Sequence, residues 1–323
     1  PRPLDIYALS LYKNPIEPMA PIAMSCTVAV IGLGRIGALW ENEKLRQKPA
    51  THLGAWLRMA PEVELKAVVD SNPDVLYTAG KMAPDAHWLV DYTELFDMTP
   101  DIISVATPLE THWKIVVDLA QHRACKLIFC EKPLARNAQE ANIMIEACRK
   151  YGVKLAVNHS RRWDVVYQEA RKEVAGNGFG HMLRAVAYYS GDHLNVGTHL
   201  ADVLNWYNLP EERTAVFNLE GEYLIFELDV FLERGRVSVW DNGRVFGTAD
   251  AKASDFYEGI SELKPNFRTR RTPEDPTPMQ VACRQLVDCL KTGTQPWCTG
   301  EDGLEALRRA MKWKYLNGRC NQS

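Results

Sequence analysis

The chain has 323 residues, 46% of them hydrophobic and 24% charged, with a formal net charge of −3. That length exceeds what one hydrophobic core usually organises, and the apolar content can fill two, so two domains are expected and disorder is not. The near-neutral charge removes the electrostatic case for nucleic acid or an anionic membrane as partner. No apolar stretch approaches the ~18 residues needed to cross a bilayer, which leaves a small ligand as the expected class of partner.

Residues 1–24 read as an N-terminal extension, proline-rich over 15–21, with Met24 as the expected natural start. The extension lacks the basic-then-apolar layout of a signal peptide. Eight cysteines lie scattered without a C-x-x-C pair. Together these predict a cytoplasmic protein with reduced, core-filling thiols.

From residue 27 to 157, short β-branched runs at 27–31, 65–69, 87–90, 102–105, 127–130 and 155–157 alternate with segments of helical period, the pattern of βαβ units and a parallel sheet. The clearest helix covers 138–151, with Lys150 and Gly152 as its stop signal. Beyond 157 the period changes. Runs at 182–189, 215–219, 223–232 and 236–240 read as successive antiparallel strands, with Asp241-Asn242-Gly243 a strong turn signal. Helical segments at 278–290 and 303–315 close the chain. The change of period predicts domains at 25–157 and 158–323.

The first strand runs into Gly32-Leu33-Gly34-Arg35-Ile36-Gly37. Glycines placed between a strand and a helical pattern allow a tight turn and admit a pyrophosphate to a helix N-terminus, the fingerprint of a doubly wound Rossmann domain. The motif alone is weak, and its flanks give it weight. The second strand ends at Asp70-Ser71, where a carboxylate would accept the ribose hydroxyls of NAD and repel the 2′-phosphate of NADP. Asp70 stands 38 positions beyond Gly32, against the usual ~20. A polar insertion at 41–48 accounts for the excess.

The strand at 102–105 leads to Thr107-Pro108 and His112, and the strand at 127–130 leads to Glu131-Lys132-Pro133. Both are carboxyl ends of parallel strands, where such sheets bind ligands. A lysine there can hold a substrate hydroxyl and stabilise charge developing on its oxygen, although a solvated strand-end charge would look the same. Farther on, Asn195 and His199 stand one helical turn apart, with Asp202 three residues later. A neutral imidazole beside an ammonium suits a general base, while a packed histidine is the ordinary alternative. His193, His199 and Asp202 lack metal-ligand spacing, so no metal is expected.

The fingerprint at Gly32, Asp70, Thr107-Pro108 with His112, Glu131-Lys132-Pro133 and Gly197-Thr198-His199-x-x-Asp202 together resemble the Gfo/Idh/MocA oxidoreductases over nearly the whole chain. The resemblance implies an α/β second domain with an open, mainly antiparallel sheet and a homodimer or homotetramer formed through it. It also implies a lysine working beside an Asp-x-x-x-His pair, which makes Lys132 and His199 the catalytic residues. The family's aspartate position is Asn195 here, and an amide can orient a group but cannot take its proton. That departure raises the alternative of a binding or sensor protein without turnover, and a lyase or hydrolase using tightly held NAD, which the family also contains, is a second. The segment from Tyr188 to Asp202 resembles members tied to surface-polysaccharide and nucleotide-sugar pathways, so a sugar or nucleotide sugar is the expected substrate. Asn158, Arg161, Arg162, Tyr189, Asn195 and His199 are its expected contacts. Arg161 and Arg162 could meet a diphosphate, as could Arg268, Arg270 and Arg271, for which a solvated loop is the simpler reading.

Overall fold

A computed structural model describes residues 26–320, with the side chains of 267–270 and 314–320 outside the description. Met24 and the proline-rich extension lie outside the described residues.

The β-branched runs form a six-stranded parallel sheet: β1 (Cys26–Ile31), β2 (Val63–Val69), β3 (His87–Leu89), β4 (Ile102–Val105), β5 (Leu127–Cys130) and β6 (Lys154–Val157). Its order, β3-β2-β1-β4-β5-β6, is that of a Rossmann sheet, and the order reverses between β1 and β4, where ligand-carrying loops converge. β4 and β5 are buried along their whole length, as expected of central parallel strands covered on both faces. The covering helices are α1 (His52–Leu57), α2 (Pro73–Gly80), the single turn α3 (Leu95–Met98), α4 (Leu109–Gln121) and α5 (Ala138–Tyr151). Asn137 caps the start of α5 by accepting from Glu140 N, and Gly152 ends it at φ 74°. That is a left-handed stop glycine adopts without strain.

The expected helix directly after the fingerprint does not form as such. Residues 33–38 make irregular turns that lead into a 3₁₀ turn, Leu39–Asn42, and the first regular helix waits until His52. The insertion thus displaces the helix as well as the second strand.

The second sheet follows α6 (Val165–Ala175) and contains β7 (Met182–Tyr189), β8 (Thr214–Asn218), β9 (Phe226–Leu232), β10 (Gly235–Trp240), β11 (Val245–Ala253) and β12 (Ser261–Arg270). Its order is β12-β11-β10-β9-β7-β8. One neighbour pair departs from the expected antiparallel run, since β7 and β8 are parallel. The connection between them carries α7 (Thr198–Trp206), and a helical crossover returns the chain to the same end of the sheet. Asp241, Asn242 and Gly243 all take positive φ, at 53°, 55° and 80°, forming the anticipated turn. β11 and β12 were not anticipated: β11 is rich in alanine and glycine, and β12 contains Pro265. Proline is tolerated on an edge strand, which is where β12 lies.

Helices α8 (Pro278–Thr292) and α9 (Gly300–Cys320) close the chain. Met279, Cys283 and Leu286 of α8 join the core of the parallel sheet. α9 serves both cores, with Leu304 and Leu307 in the first and Ala306, Ala310 and Trp313 in the second. Seven cysteines among the described residues are free, six of them buried, and no described helix is long and apolar enough to cross a membrane.

Arg162 sits where these elements meet. Its guanidinium donates to both carboxylate oxygens of Asp202 in α7 at 2.8–3.0 Å and to Trp297 O at 2.7 Å, and lies 3.3 Å from Asp302 at the start of α9. Arg162 is 4% exposed and Asp202 fully buried. Arg162→Ala would strand Asp202 without its partner, so the unfolding free energy from denaturant titration is expected to fall by about 3–5 kcal/mol.

Candidate functional site

Where the parallel sheet reverses order, a cavity of about 1040 Å³ opens between the fingerprint and the loops after β2, β4, β5 and β6. Gly32 has φ 85°, and a Cβ there would fall 2.7–2.8 Å from the backbone of Ala106 and Thr107. A Cβ on Gly37 would fall 1.9 Å from Gly32 O. Both glycines are therefore demanded by protein packing. Gly34 differs, because a Cβ there would meet nothing within 4 Å, and the residue lines the cavity. What Gly34 leaves free is ligand space.

Asp70 follows β2 directly. One carboxylate oxygen accepts from Leu33 N inside the fingerprint at 2.8 Å and the other from Asn72 N at 2.9 Å. The side chain is fixed by backbone donors, and each oxygen keeps a lone pair for a ribose hydroxyl. Arg35, Ile36, Ser71, Thr107 and Pro108 also line the cavity. His112 does not. It is 1% exposed, with ring nitrogens 2.9 Å from Thr107 O and 3.1 Å from Pro133 O, so it braces the loops after β4 and β5 against each other.

Glu131 is buried and accepts from Asn158 Nδ2 at 2.5 Å, with His52 Nε2 2.9 Å away. Burial pushes its carboxyl up, but the bonds from His52 and Asn158 and the nearby Lys132 charge hold it below its ordinary value. Lys132 projects toward Asn195, donating to its Oδ1 at 2.5 Å and its O at 3.1 Å. Burial, helped by the Arg161 charge, lowers the Lys132 pKa.

Asn195 stands in a five-residue π-helical turn, His193–Gly197, that leads into α7. Asp192 caps the turn by accepting from Leu194 N and Asn195 N, and such widened turns re-aim side chains at functional sites. The structure brings Asn195 to Lys132 and His199 to the cavity wall, whereas Asp202 points inward to Arg162. His199 lines the cavity and packs edge-to-face on His159, with ring centroids 5.4 Å apart. Burial first, then the charges of Arg161 and Lys132, push the His199 imidazole well below 6.5, and burial lowers His159 to about 4. Both rings are thus neutral at pH 7. Asn158 Oδ1 and His199 Nδ1 are buried atoms without a protein partner, on residues that line the cavity.

Three residues expected at the substrate are elsewhere. Arg162 is consumed by Asp202 and Asp302. Tyr189 is fully buried in the second core, 6.0 Å from the Trp313 ring, because strand alternation turns it inward. Arg161 does not line the cavity, and its guanidinium sits 3.6 Å over the Phe226 ring. From the other basic cluster, Arg271 lines the cavity and pairs with buried Asp164, while the Arg268 and Arg270 side chains lie outside the description. Sequence reasoning missed Trp40, which lines the cavity, and His52, His159 and Gln47, whose roles arise from contacts distant in the chain. No cluster of three or more His, Cys, Asp or Glu side chains suited to a metal occurs among the described residues.

A fingerprint with open space at its middle glycine, a fixed acid after the second strand and a lysine at the far end define an NAD-binding oxidoreductase with a Rossmann domain. Residues 26–159 match the Gfo/Idh/MocA family model, an oxidoreductase family with an NAD-binding Rossmann fold. It is 25% identical, across 87% of this chain and 91% of the relative, to YrbE, an uncharacterized oxidoreductase of Bacillus subtilis. It is 24% identical to the D-apiose dehydrogenase of Paraburkholderia graminis, covering 83% of this chain and 84% of that enzyme. Its fold matches the WlbA dehydrogenase of Bordetella pertussis, solved with NADH and UDP-GlcNAcA, at a TM-score of 0.66 and 18% identity over 88% of this chain and 94% of that one.

The glycine geometry separates ligand space from packing. Gly34→Ala is expected to leave the melting temperature unchanged and to weaken NADH binding, followed by fluorescence titration, by roughly 5- to 150-fold, as for an overpacked contact of about 1–3 kcal/mol.

Proposed function

We propose that the chain moves hydride between NAD and a secondary alcohol or ketone of a sugar or nucleotide sugar. The observation that carries this reading is the Lys132 ammonium tied to Asn195 in the cavity that His199 also lines. Gly34, Arg35 and Ile36 would hold the pyrophosphate of NAD, and Asp70 its adenosine ribose. NAD supplies, when bound, the nicotinamide carbon that takes or gives the hydride.

Two of the three Lys132 N–H bonds go to Asn195, leaving the third for a substrate oxygen. There it steadies charge that grows as the hydroxyl loses its proton. The proton passes to the His199 imidazole, which lines the cavity. Asn195 keeps Lys132 in place without a charge of its own, which supports turnover over the non-catalytic alternative. In this reading residues 25–157 bind the cofactor, and residues 158–323 shape the substrate end and carry the surface for a homodimer or homotetramer.

The reading is tested by following NADH absorbance with free, UDP- and GDP-linked sugars. Lys132→Met should lower kcat by about 100-fold or more and leave NADH affinity nearly unchanged, since the lysine acts in the transition state; an unaltered kcat removes it from the mechanism. The pH profile gives a second check. An ordinary histidine base loses half its activity at pH 6.5, whereas His199, neutral well below that value, should hold kcat/KM for alcohol oxidation level as the pH falls through 6.5.

A further inference from the structure

The insertion that separates Asp70 from the fingerprint is a shaped loop. Glu41 accepts from Ala50 N at 2.8 Å and Thr51 Oγ1 at 3.0 Å, so the two ends of the segment meet. Lys48 Nζ donates to the carbonyls of Trp40 and Glu43 at 2.8 and 2.7 Å, and the Arg46 guanidinium lies 3.8 Å over the Trp40 ring. Bonds of this kind pack a loop by its own side chains. Trp40, Arg46 and Gln47 line one wall of the cofactor cavity, and Arg271, Thr277 and Met279, from the segment entering α8, line the facing wall.

Two contacts of different character join these walls. Thr277 Oγ1 donates to Pro49 O at 2.8 Å, at a buried position, and the same hydroxyl caps α8 by accepting from Gln280 N. Farther along, the middle and last turn of α8 are held by Glu62, which pairs with Arg284 and with Lys291. Gln47, nearer the surface, donates its amide to Pro273 O at 3.0 Å and Asp275 O at 2.6 Å. The first contact is a fixed root and the second a closure that solvent can replace.

We propose that residues 38–51 and 271–279 form a latch at the edge of the cofactor cavity, held by Gln47, and that NAD enters and leaves faster when the Gln47 bonds part. This rests on the reading of the cavity as the NAD site and adds how exchange at that site is controlled. The α9 helix ties both cores together, so a swing of one sheet away from the other would break apolar contacts in each, whereas parting the latch gives up two neutral hydrogen bonds that water replaces. A gate of this kind scales entry and exit together, because both pass through the same open state. Gln47 is a positioning residue whose amide is specifically required: a carboxylate of the same size would bring no hydrogen to the two carbonyls.

Stopped-flow NADH fluorescence on the full chain tests the latch. For Gln47→Glu, the association and dissociation rate constants should both rise by about tenfold, the range set by two modest hydrogen bonds, while the Kd stays within about threefold. Unchanged rate constants overturn the proposal. A faster dissociation with unchanged association overturns it too, since that pattern marks a lost contact with the cofactor. If the unaltered protein binds no NADH, the cofactor reading falls and the latch with it; binding with unaltered rates in the variant removes the latch alone.

Discussion

The placement of His199 depends on one buried ion pair network. Arg162 joins the short turn after β6 to α7 through Asp202 and to α9 through Asp302, and α7 is the helix that carries His199 into the cavity. The cost of burying a guanidinium is offset only where its donors are satisfied, and here they meet two carboxylates and a main-chain carbonyl. The consequence is positional: the helix bearing His199 is fixed relative to the strand ends bearing Lys132 and Asn158 by a contact that tolerates little displacement.

The electrostatics of the site follow from which charges are answered and which are not. Glu131 is answered by His52 and Asn158. Lys132 is answered by an amide. A carboxylate at position 195 would pair with the ammonium and absorb its field, whereas the amide fixes the direction of two N–H bonds and leaves the charge available. The lowered Lys132 and His199 values share the Arg161 charge as one cause, so an arginine that does not line the cavity still shapes its chemistry.

Much of the site was legible because its residues follow strand ends, and strands of β-branched residues announce themselves. β4 and β5 begin and end where the apolar runs do, which places Thr107, Glu131 and Lys132 without further information. The two adjacent arginines show the limit. Neighbours on a tight turn point in different directions, so Arg161 and Arg162 have opposite fates that composition and spacing do not distinguish. Tyr189 was readable in principle, since its parity in β7 matches the inward residues Ala185 and Ala187. β11 and β12 are poor in β-branched residues and β12 carries a proline, and the pairing that stabilises them comes from neighbours rather than from their own propensity. His52 and Gln47 act through partners 79 and more than 200 positions away, and nothing local signals such contacts.

Pro265 in β12 also bears on how copies of this chain can meet. An edge strand offers unpaired amides to any other strand that approaches, and a proline removes one of those donors while its ring obstructs the approach. The sheet therefore resists growth along its β12 margin. Any strand that met this margin would find side chains and a ring there in place of a full row of main-chain donors.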